Sequence, residues 1–303
     1  MTIASGSLIL ASDYNNIQTT VANILGTGSG DKGYGQAVAS SQKTALSDVV
    51  DADDINNLYT DIQKAHTHQQ GSASSLIATV TTSDLIEANN GVSYKGWTQY
   101  QTAANLIETN RLSVAAGQST TTENVATETK AAGWNGSNNQ IVTITWSSAE
   151  QRRFFFNSGG QIRISASVAS GGNTKSQDWA TMCSSVGVVK IDKTSITKTG
   201  ASGTLYGSYN ESTIPGSSTK IMDRYGSGNY AENYWQLNAT NTSATVLTIT
   251  QVFNDADTGD QTGTGAAVDE NVDRDLTVNV GELRATGANV SITQPTFNIT
   301  NSI

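Results

Sequence analysis

The spacing of apolar residues changes from a helical period to a strand period about a third of the way along the chain. Before residue 117, apolar residues recur every three or four positions in three segments, which predicts three helices. Two of these segments begin with related strings, ASDYNNI at 11–17 and ADDINNL at 52–58, at an offset of 41 residues. Ser12 and Asp53 are the predicted N-caps of these two helices, and the third helix is predicted over residues 97–113.

Beyond a polar stretch at 117–136, alternating and continuous apolar runs predict many short strands and one helix, at 176–185. The run Arg153-Phe154-Phe155-Phe156 is predicted as a buried strand, followed by a turn at 157–160 that reverses the chain. The other predicted strands cover residues 141–146, 161–168, 188–191, 234–237, 245–253, 276–280 and 289–293.

These elements predict an α+β protein, in which an N-terminal helical subdomain is followed by an antiparallel, jelly-roll-like β-sandwich. The change of period sets the boundaries. We expect a helical attachment or oligomerisation region at 1–117, a linker at 118–135 and the β-sandwich domain at 136–303.

Composition excludes several classes of protein. The chain has 303 residues, of which only 14% are charged, and 17 Lys and Arg stand against 26 Asp and Glu. Ser, Thr and Asn supply about a third of all positions. Nucleic acid is not an expected partner because no cluster of Lys and Arg is present. Neither membrane insertion nor a secretory signal is expected from the apolar runs, and the single cysteine, Cys183, excludes an internal disulfide.

The loop between the first two helices contains Gly28-Ser29-Gly30-Asp31-Lys32-Gly33, which has the spacing of a dinucleotide-binding fingerprint. Such a site needs a strand before the loop and a helix after it, because the helix N-terminus binds the phosphates. A helix is predicted before this loop instead. The sequence therefore favours an ordinary connecting loop, and no cofactor is expected.

Several strings in the chain resemble a recurring type of tailed-bacteriophage virion protein, common in marine and cyanobacterial phages. They are ASDYNN at 11–16, LGTGSG at 25–30, GYGQ at 33–36, TNR at 109–111, RFFFNSGGQIR at 153–163 and VDENV at 268–272. The resemblance covers most of the chain and implies a structural component of the particle, with no catalytic residues to transfer.

From this resemblance we expect a non-enzymatic tail- or fibre-associated protein that acts by symmetric assembly. Its expected partners are other copies of itself, as a trimer or hexamer, and other virion proteins. The expected location is the virion, assembled in the host cytoplasm. A neck or head decoration protein is one alternative, and a lectin-like receptor-binding module is another.

The two histidines, His66 and His68, form an H-x-H string near the predicted end of the second helix. In extended backbone both rings would lie on one side, and threefold symmetry would bring six nitrogens to one metal ion. On a helix, residues two apart face different directions. The sequence favours a solvated helix C-terminus, where the helix dipole stabilises positive charge, and leaves metal binding as the alternative.

An acidic segment at 254–260 is a second candidate metal site. It fails the EF-hand pattern, because counting from Asp255 places Gly259 fifth and Ala266 twelfth. A looser calcium site that includes Asp255 and Asp257 remains open beside the interpretation as a solvated loop.

Hydrolase chemistry has little support in the sequence. A glycosidase needs two carboxylates with different pKa values, and only the abundance of acidic residues around Asp257 and Asp269 points to such a pair. A serine hydrolase would have to use His66 or His68, which lie outside the predicted sandwich, and no G-x-S-x-G string is present.

Aromatic residues concentrate in one polar stretch of the predicted sandwich. Aromatic faces stack on sugar rings while amides bind hydroxyls, so this stretch is a candidate glycan-binding surface, with a host surface glycan as the expected ligand. The sequence favours packing of these rings in the core and leaves the glycan-binding surface as the alternative. The candidate residues are Tyr206, Tyr209, Tyr225, Tyr230, Tyr234 and Trp235.

Overall fold

Three packed N-terminal helices are followed by two antiparallel sheets, in a sandwich-like α+β fold. The computed structural model describes residues 10–45, 47–84, 86, 88, 94–256 and 271–303. The helices are α1 (Ala11–Leu25), α2 (Ala52–Gln70), α3 (Trp97–Thr109), α4 (Ala149–Asn157) and α5 (Thr174–Val186). The predicted fold class is confirmed.

The apolar stripes of α1, α2 and α3 form one buried core. Each helix contributes residues at spacings of three and four, as the sequence pattern predicted. The core includes Tyr14, Ile17 and Val21 of α1, Ile55, Leu58 and Ile62 of α2, and Trp97, Tyr100, Ala103 and Ile107 of α3.

The repeated strings begin α1 and α2, but the predicted N-caps are wrong by two residues. The N-caps are Leu10 and Asp51. Their backbone N–H groups donate to the Oδ2 atoms of Asp13 and Asp54, respectively, each at 3.0 Å. The aspartate that the two copies of the repeat share is therefore the third residue of each helix. There its carboxylate also interacts favourably with the positive end of the helix dipole.

The first asparagine of each repeat holds a loop that follows its helix. Asn15 donates from Nδ2 to the carbonyl of Lys43 at 2.8 Å and accepts from its N–H at 2.7 Å. Asn56 makes the same pair of bonds with Val80, both at 2.9 Å. Each copy of the repeat thus begins a helix and also binds a later loop through two hydrogen bonds.

The sheets contain five and six strands, in the orders β1-β10-β3-β4-β5 and β11-β2-β9-β8-β7-β6. The hairpin predicted between residues 234 and 253 is confirmed as β8 and β9. The strands are β1 (Ser119–Lys130), β2 (Gly136–Thr145), β3 (Gln161–Val168), β4 (Val189–Ile191), β5 (Ile196–Lys198), β6 (Thr204–Leu205), β7 (Thr219–Tyr225), β8 (Tyr234–Ser243), β9 (Val246–Asp255), β10 (Leu276–Ala285) and β11 (Thr296–Asn301).

Two predicted strands are wrong. The phenylalanine run at 153–156 belongs to helix α4, and the predicted turn at 157–160 is the end of that helix and the residues after it instead of a link between two strands. Residues 289–293 form no named strand, and only Ser291 makes an isolated bridge, to Thr286. In addition, β1 occupies most of the segment predicted as a linker.

The chain divides into two compact units, neither of which is continuous in sequence. The first contains residues 1–120, 153–160 and 284–293, and the second contains the remaining residues. Most of both sheets and helix α5 belong to the second unit. The domain boundaries expected after residues 117 and 135 stay predictions.

Candidate glycan-binding surface

Most residues on the outward face of β8 and β9, the central strands of the six-stranded sheet, are uncharged and polar. Along β8, buried residues alternate with half-buried ones, so Trp235 and Leu237 point into the core while the intervening side chains point outward. The outward residues of β8 and their partners on β9 pair in register, as Tyr234 with Asn254, Gln236 with Val252, Asn238 with Thr250, and Thr240 with Thr248.

A pair of tyrosines lies at one end of this face. Tyr225, the last residue of β7, is directly opposite Tyr234, and their ring centroids are 5.6 Å apart with an interplanar angle of 52°. Tyr225 is 46% exposed, which is high for a large aromatic residue. Next to the pair along β8, Gln236 donates from Nε2 to Oδ1 of Asn238 at 2.9 Å. Aromatic faces and oriented amides thus share one surface.

A charged group borders this surface on β7. Asp223 pairs with Gln236 across the strands, and its Oδ2 accepts from the hydroxyl of Tyr206 and from Nζ of Lys220, each at 2.8 Å. Lys220 also lies 4.2 Å from the centroid of the Tyr206 ring. The hydrogen bonds to Asp223 raise the pKa of both Tyr206 and Lys220, so the phenol stays protonated and the amine stays charged at neutral pH.

A cleft of about 510 Å³ lies beside the end of β7, between α5 and the turn at 227–230. Its size falls within the usual range for ligand pockets, and hydroxyl, amide and carboxylate groups line it. The turn is held by Asp178, which accepts from the Ser227 hydroxyl at 2.5 Å. The lining residues are Thr174, Gln177, Asp178, Thr181, Ser227, Gly228, Asn229 and Tyr230.

The six aromatic candidates therefore separate by position. Tyr206, Tyr225 and Tyr234 belong to the outward face or its border. Trp235 is fully buried and its ring stacks on Phe253 at 5.7 Å, and Tyr230 is buried beside the cleft. Tyr209 packs against the backbone of Gly207, where an added Cβ would lie 2.3 Å from its ring.

Sequence reasoning missed Asp223, Lys220, Gln236 and Asn238. The period of β8 carries a signal for two of them, because residues 234, 236 and 238 must share the face opposite to Trp235. Asp223 and Lys220 had no such signal, since β7 contains an irregularity between Lys220 and Met222 that changes the alternation.

The histidine candidates lie in different environments on the last turns of α2. His66 is half-exposed, with its Nδ1 2.8 Å from the carbonyl oxygen of Ser72. His68 is fully buried, and its Nε2 is 3.1 Å from the carbonyl oxygen of Ser158. Burial lowers the pKa of His68 to about 4, although the bond to Ser158 opposes this change. The expectation of a solvated helix end is wrong for His68.

The acidic candidates also differ. Asp255 is buried at the end of β9, and its Oδ2 accepts from Nζ of Lys175 at 3.0 Å. Asp257 lies outside the described residues. Among the residues that the structure describes, no group of three or more His, Cys, Asp or Glu side chains could hold a metal ion. Metal binding at His66, His68, Asp255 or Asp257 stays a prediction.

None of the helices within the described ranges is long and apolar enough to cross a membrane. Comparison with known proteins gives no match, whether with a family model, a curated protein or a solved structure.

Proposed function

We propose that this protein is a non-enzymatic structural component of a bacteriophage particle. It is tail- or fibre-associated and acts by symmetric assembly with other copies of itself and with other virion proteins. The proposal rests on the virion-protein strings in the sequence, together with one structural observation that favours assembly.

That observation is the position of β1. It is the longest strand in the described part of the chain, with 12 residues, and it stands at the edge of the five-stranded sheet. Most of its residues are at least partly exposed. A long edge strand presents backbone N–H and C=O groups that can pair with a second chain.

Light scattering coupled to size-exclusion chromatography tests this proposal on the full chain. We expect a trimer or hexamer whose mass is constant over a dilution series, and binding of the purified chain to phage particles. A strict monomer that also fails to bind particles would overturn the proposal. Imaging of the whole particle would then locate the protein at the tail, the neck or the head.

A lectin-like module is a second candidate function, and the Tyr225–Tyr234 pair favours it. A sugar ring stacked on Tyr225 would have the amides of Gln236 and Asn238 beside its hydroxyls. Such stacking contributes about 0.5–1.5 kcal/mol, so its loss lowers affinity by up to about tenfold.

Binding of the full chain to a glycan array and to host cells tests this candidate. Tyr225→Ala should weaken binding by about tenfold, whereas Tyr94→Ala is a matched control. Tyr94 is also 46% exposed, but it precedes α3 in the other compact unit. Equal binding by both variants, or no binding by the wild type, would refute the assignment.

A further inference from the structure

The cleft between α5 and the turn at 227–230 contains a carboxylate that has no cationic partner. Asp178 of α5 is half-buried there. Its Oδ1 accepts from the N–H and the hydroxyl of Ser227, at 3.1 and 2.5 Å, and its Oδ2 lies 3.3 Å from the same N–H. These donors are neutral, and in the described part of the chain no Lys, Arg or His side chain pairs with Asp178. Its negative charge is therefore available to a ligand in the cleft.

The backbone of the turn fixes the position of this carboxylate. A Cβ on Gly226 would lie 2.5 Å from Oδ2 of Asp178 and 2.2 Å from the carbonyl oxygen of Tyr230, so glycine is needed for the carboxylate to approach this closely. The turn is closed by the N–H of Tyr230, which donates to the carbonyl oxygen of Ser227 at 3.0 Å. A group held in this way does not have to be ordered when a ligand binds.

Two hydroxyls in the cleft can only accept hydrogen bonds from a ligand. Thr181 lies three residues after Asp178 on the same side of α5, and its hydroxyl donates to the carbonyl oxygen of Gln177 at 2.8 Å. The Ser227 hydroxyl donates to Asp178, so each hydroxyl hydrogen is already in use. Two accepting oxygens beside a carboxylate fit a primary ammonium, which has three donors, no acceptor and a positive charge.

The rest of the cleft fits a ligand with hydroxyl groups. Thr174 and Gln177 line it from α5, and Asn229 lines it from the turn, whereas Tyr230 is the one aromatic residue in the lining. A simple alkyl amine needs apolar walls, and these hydroxyl and amide groups do not supply them. The exposed ring of Tyr225 lies only two residues before the turn, at the end of β7. An ammonium carried on a sugar ring therefore fits the cleft better than one on an alkyl chain.

We propose that this cleft binds an amino sugar whose amine is free and positively charged. The ammonium contacts Asp178, Thr181 and Ser227. Amide groups of Gln177 and Asn229 bind the ring hydroxyls. The first turn of α5, where the helix dipole disfavours a cation, is at the opposite end of the cleft from Thr181. This inference rests on the lectin-like candidate function, and it specifies the class of glycan as a cationic hexosamine.

A matched pair of oligosaccharides tests the proposal on the full chain. Calorimetry should measure binding of the β-1,4-linked glucosamine trimer and of the same trimer with each amine acetylated. We expect the free-amine trimer to bind at least about tenfold more tightly, since a hydrogen bond between charged groups contributes more than one between neutral groups. Its affinity should also fall as salt is added. Equal affinity for the two trimers would overturn the proposal.

Two variants with the same change of charge locate the site. Asp178→Asn keeps an oxygen that accepts from Ser227 but removes the charge, so it should weaken binding of the free-amine trimer by about tenfold or more. Asp192→Asn is the matched control. Asp192 is also half-buried and holds a turn, accepting from the N–H and the hydroxyl of Thr194 at 2.8 and 2.7 Å, but it does not line the cleft. Equal weakening by both variants would show only an effect of net charge and would overturn the proposal.

Two further comparisons separate this inference from the lectin-like function. Spermidine carries ammonium groups without a sugar ring, so binding of spermidine as tight as that of the free-amine trimer would overturn the assignment to an amino sugar. Wild-type protein that binds array glycans through Tyr225 but not the free-amine trimer would overturn this inference alone. Binding of the trimer that depends on Asp178, without binding to the array or to host cells, would support the cleft site and refute the lectin-like function.

Discussion

Replacing His68 with glutamine should remove most of the acid sensitivity of this protein above pH 5. His68 is fully buried on α2, its Nε2 lies 3.1 Å from the Ser158 carbonyl oxygen, and its ring packs 4.9 Å from that of Tyr34. Loss of solvation lowers its pKa from 6.5 to about 4. A glutamine amide can still donate a hydrogen bond to Ser158, but it does not titrate.

The sign of the effect follows from the direction of the pKa change. Because the folded state holds His68 neutral, the unfolded chain binds a proton more readily below pH 6.5, and stability falls as pH falls. The whole difference in the pKa of His68 between the unfolded and folded states corresponds to roughly 3 kcal/mol in the free energy of unfolding, since one pKa unit corresponds to about 1.4 kcal/mol. About 2 kcal/mol of it is lost between pH 7.5 and pH 5.

Urea denaturation at these two pH values measures the effect. We expect the free energy of unfolding of the wild type to fall by about 2 kcal/mol more than that of His68→Gln. His66→Gln is the matched control, because His66 is half-exposed and its loss leaves the buried ring in place. The depressed carboxyl pKa values, such as that of Asp31, act mainly at lower pH. If His68→Gln and the wild type lose equal stability, burial of His68 does not control the acid sensitivity.

Three further results are expected. Gly35→Ala should lower the free energy of unfolding, measured in urea, by roughly 2–4 kcal/mol, because φ is +69° and a Cβ would lie 2.4 Å from the Phe154 ring. Gly30→Ala is the control, since φ is +60° but no atom lies within 4 Å of its added Cβ, and it should cost only about 1 kcal/mol. Trp179→Ala, which removes a fully buried ring, should cost about 3–5 kcal/mol by the same assay. Deleting residues 1–117 should lower the thermal midpoint and the cooperativity of unfolding, because the deletion removes the loop carbonyls that α4 binds. A truncated chain that melts as cooperatively as the full chain would contradict this last expectation.

The phenylalanine run at 153–156 shows where sequence patterns fail. A short apolar run fits a buried strand and a buried helix equally well. Hydrogen bonds to residues distant in sequence favour the helix. Arg153 donates to the carbonyl oxygen of Thr27 at 2.7 Å, and Asn157 donates to the carbonyl oxygen of Lys32 at 2.8 Å. These two residues are four apart. A strand would also place them on one face but about 13 Å apart, whereas a helix places them about 6 Å apart along its axis, close enough to bind one loop. A local signal did exist, because Ser148 caps the helix and Gln151 follows three residues later.

The candidate surface was predicted in part. Clustering of aromatic residues pointed to the stretch of chain that contains β7 and β8, and the period of β8 was sufficient to place Tyr234 and Trp235 on opposite faces. The pairing of Tyr225 with Tyr234 depends on the register between β7 and β8, and the contact of Asp223 with Tyr206 and Lys220 depends on the irregularity in β7. Registers between strands are set by packing across the sheet, and the local pattern does not contain that information.

The sequence alone determined the three N-terminal helices, helix α5, the strands β2 to β4 and β8 to β10, the repeat, and the polar, charge-poor face of the sandwich. These are local properties, since they depend on neighbours a few residues apart. The tertiary structure decided which residues became buried against expectation. His68 and Lys175 are polar and lie near helix ends, where the local pattern indicates exposure to solvent. Each is covered by segments far away in the chain, because burial depends on contacts made across the whole fold.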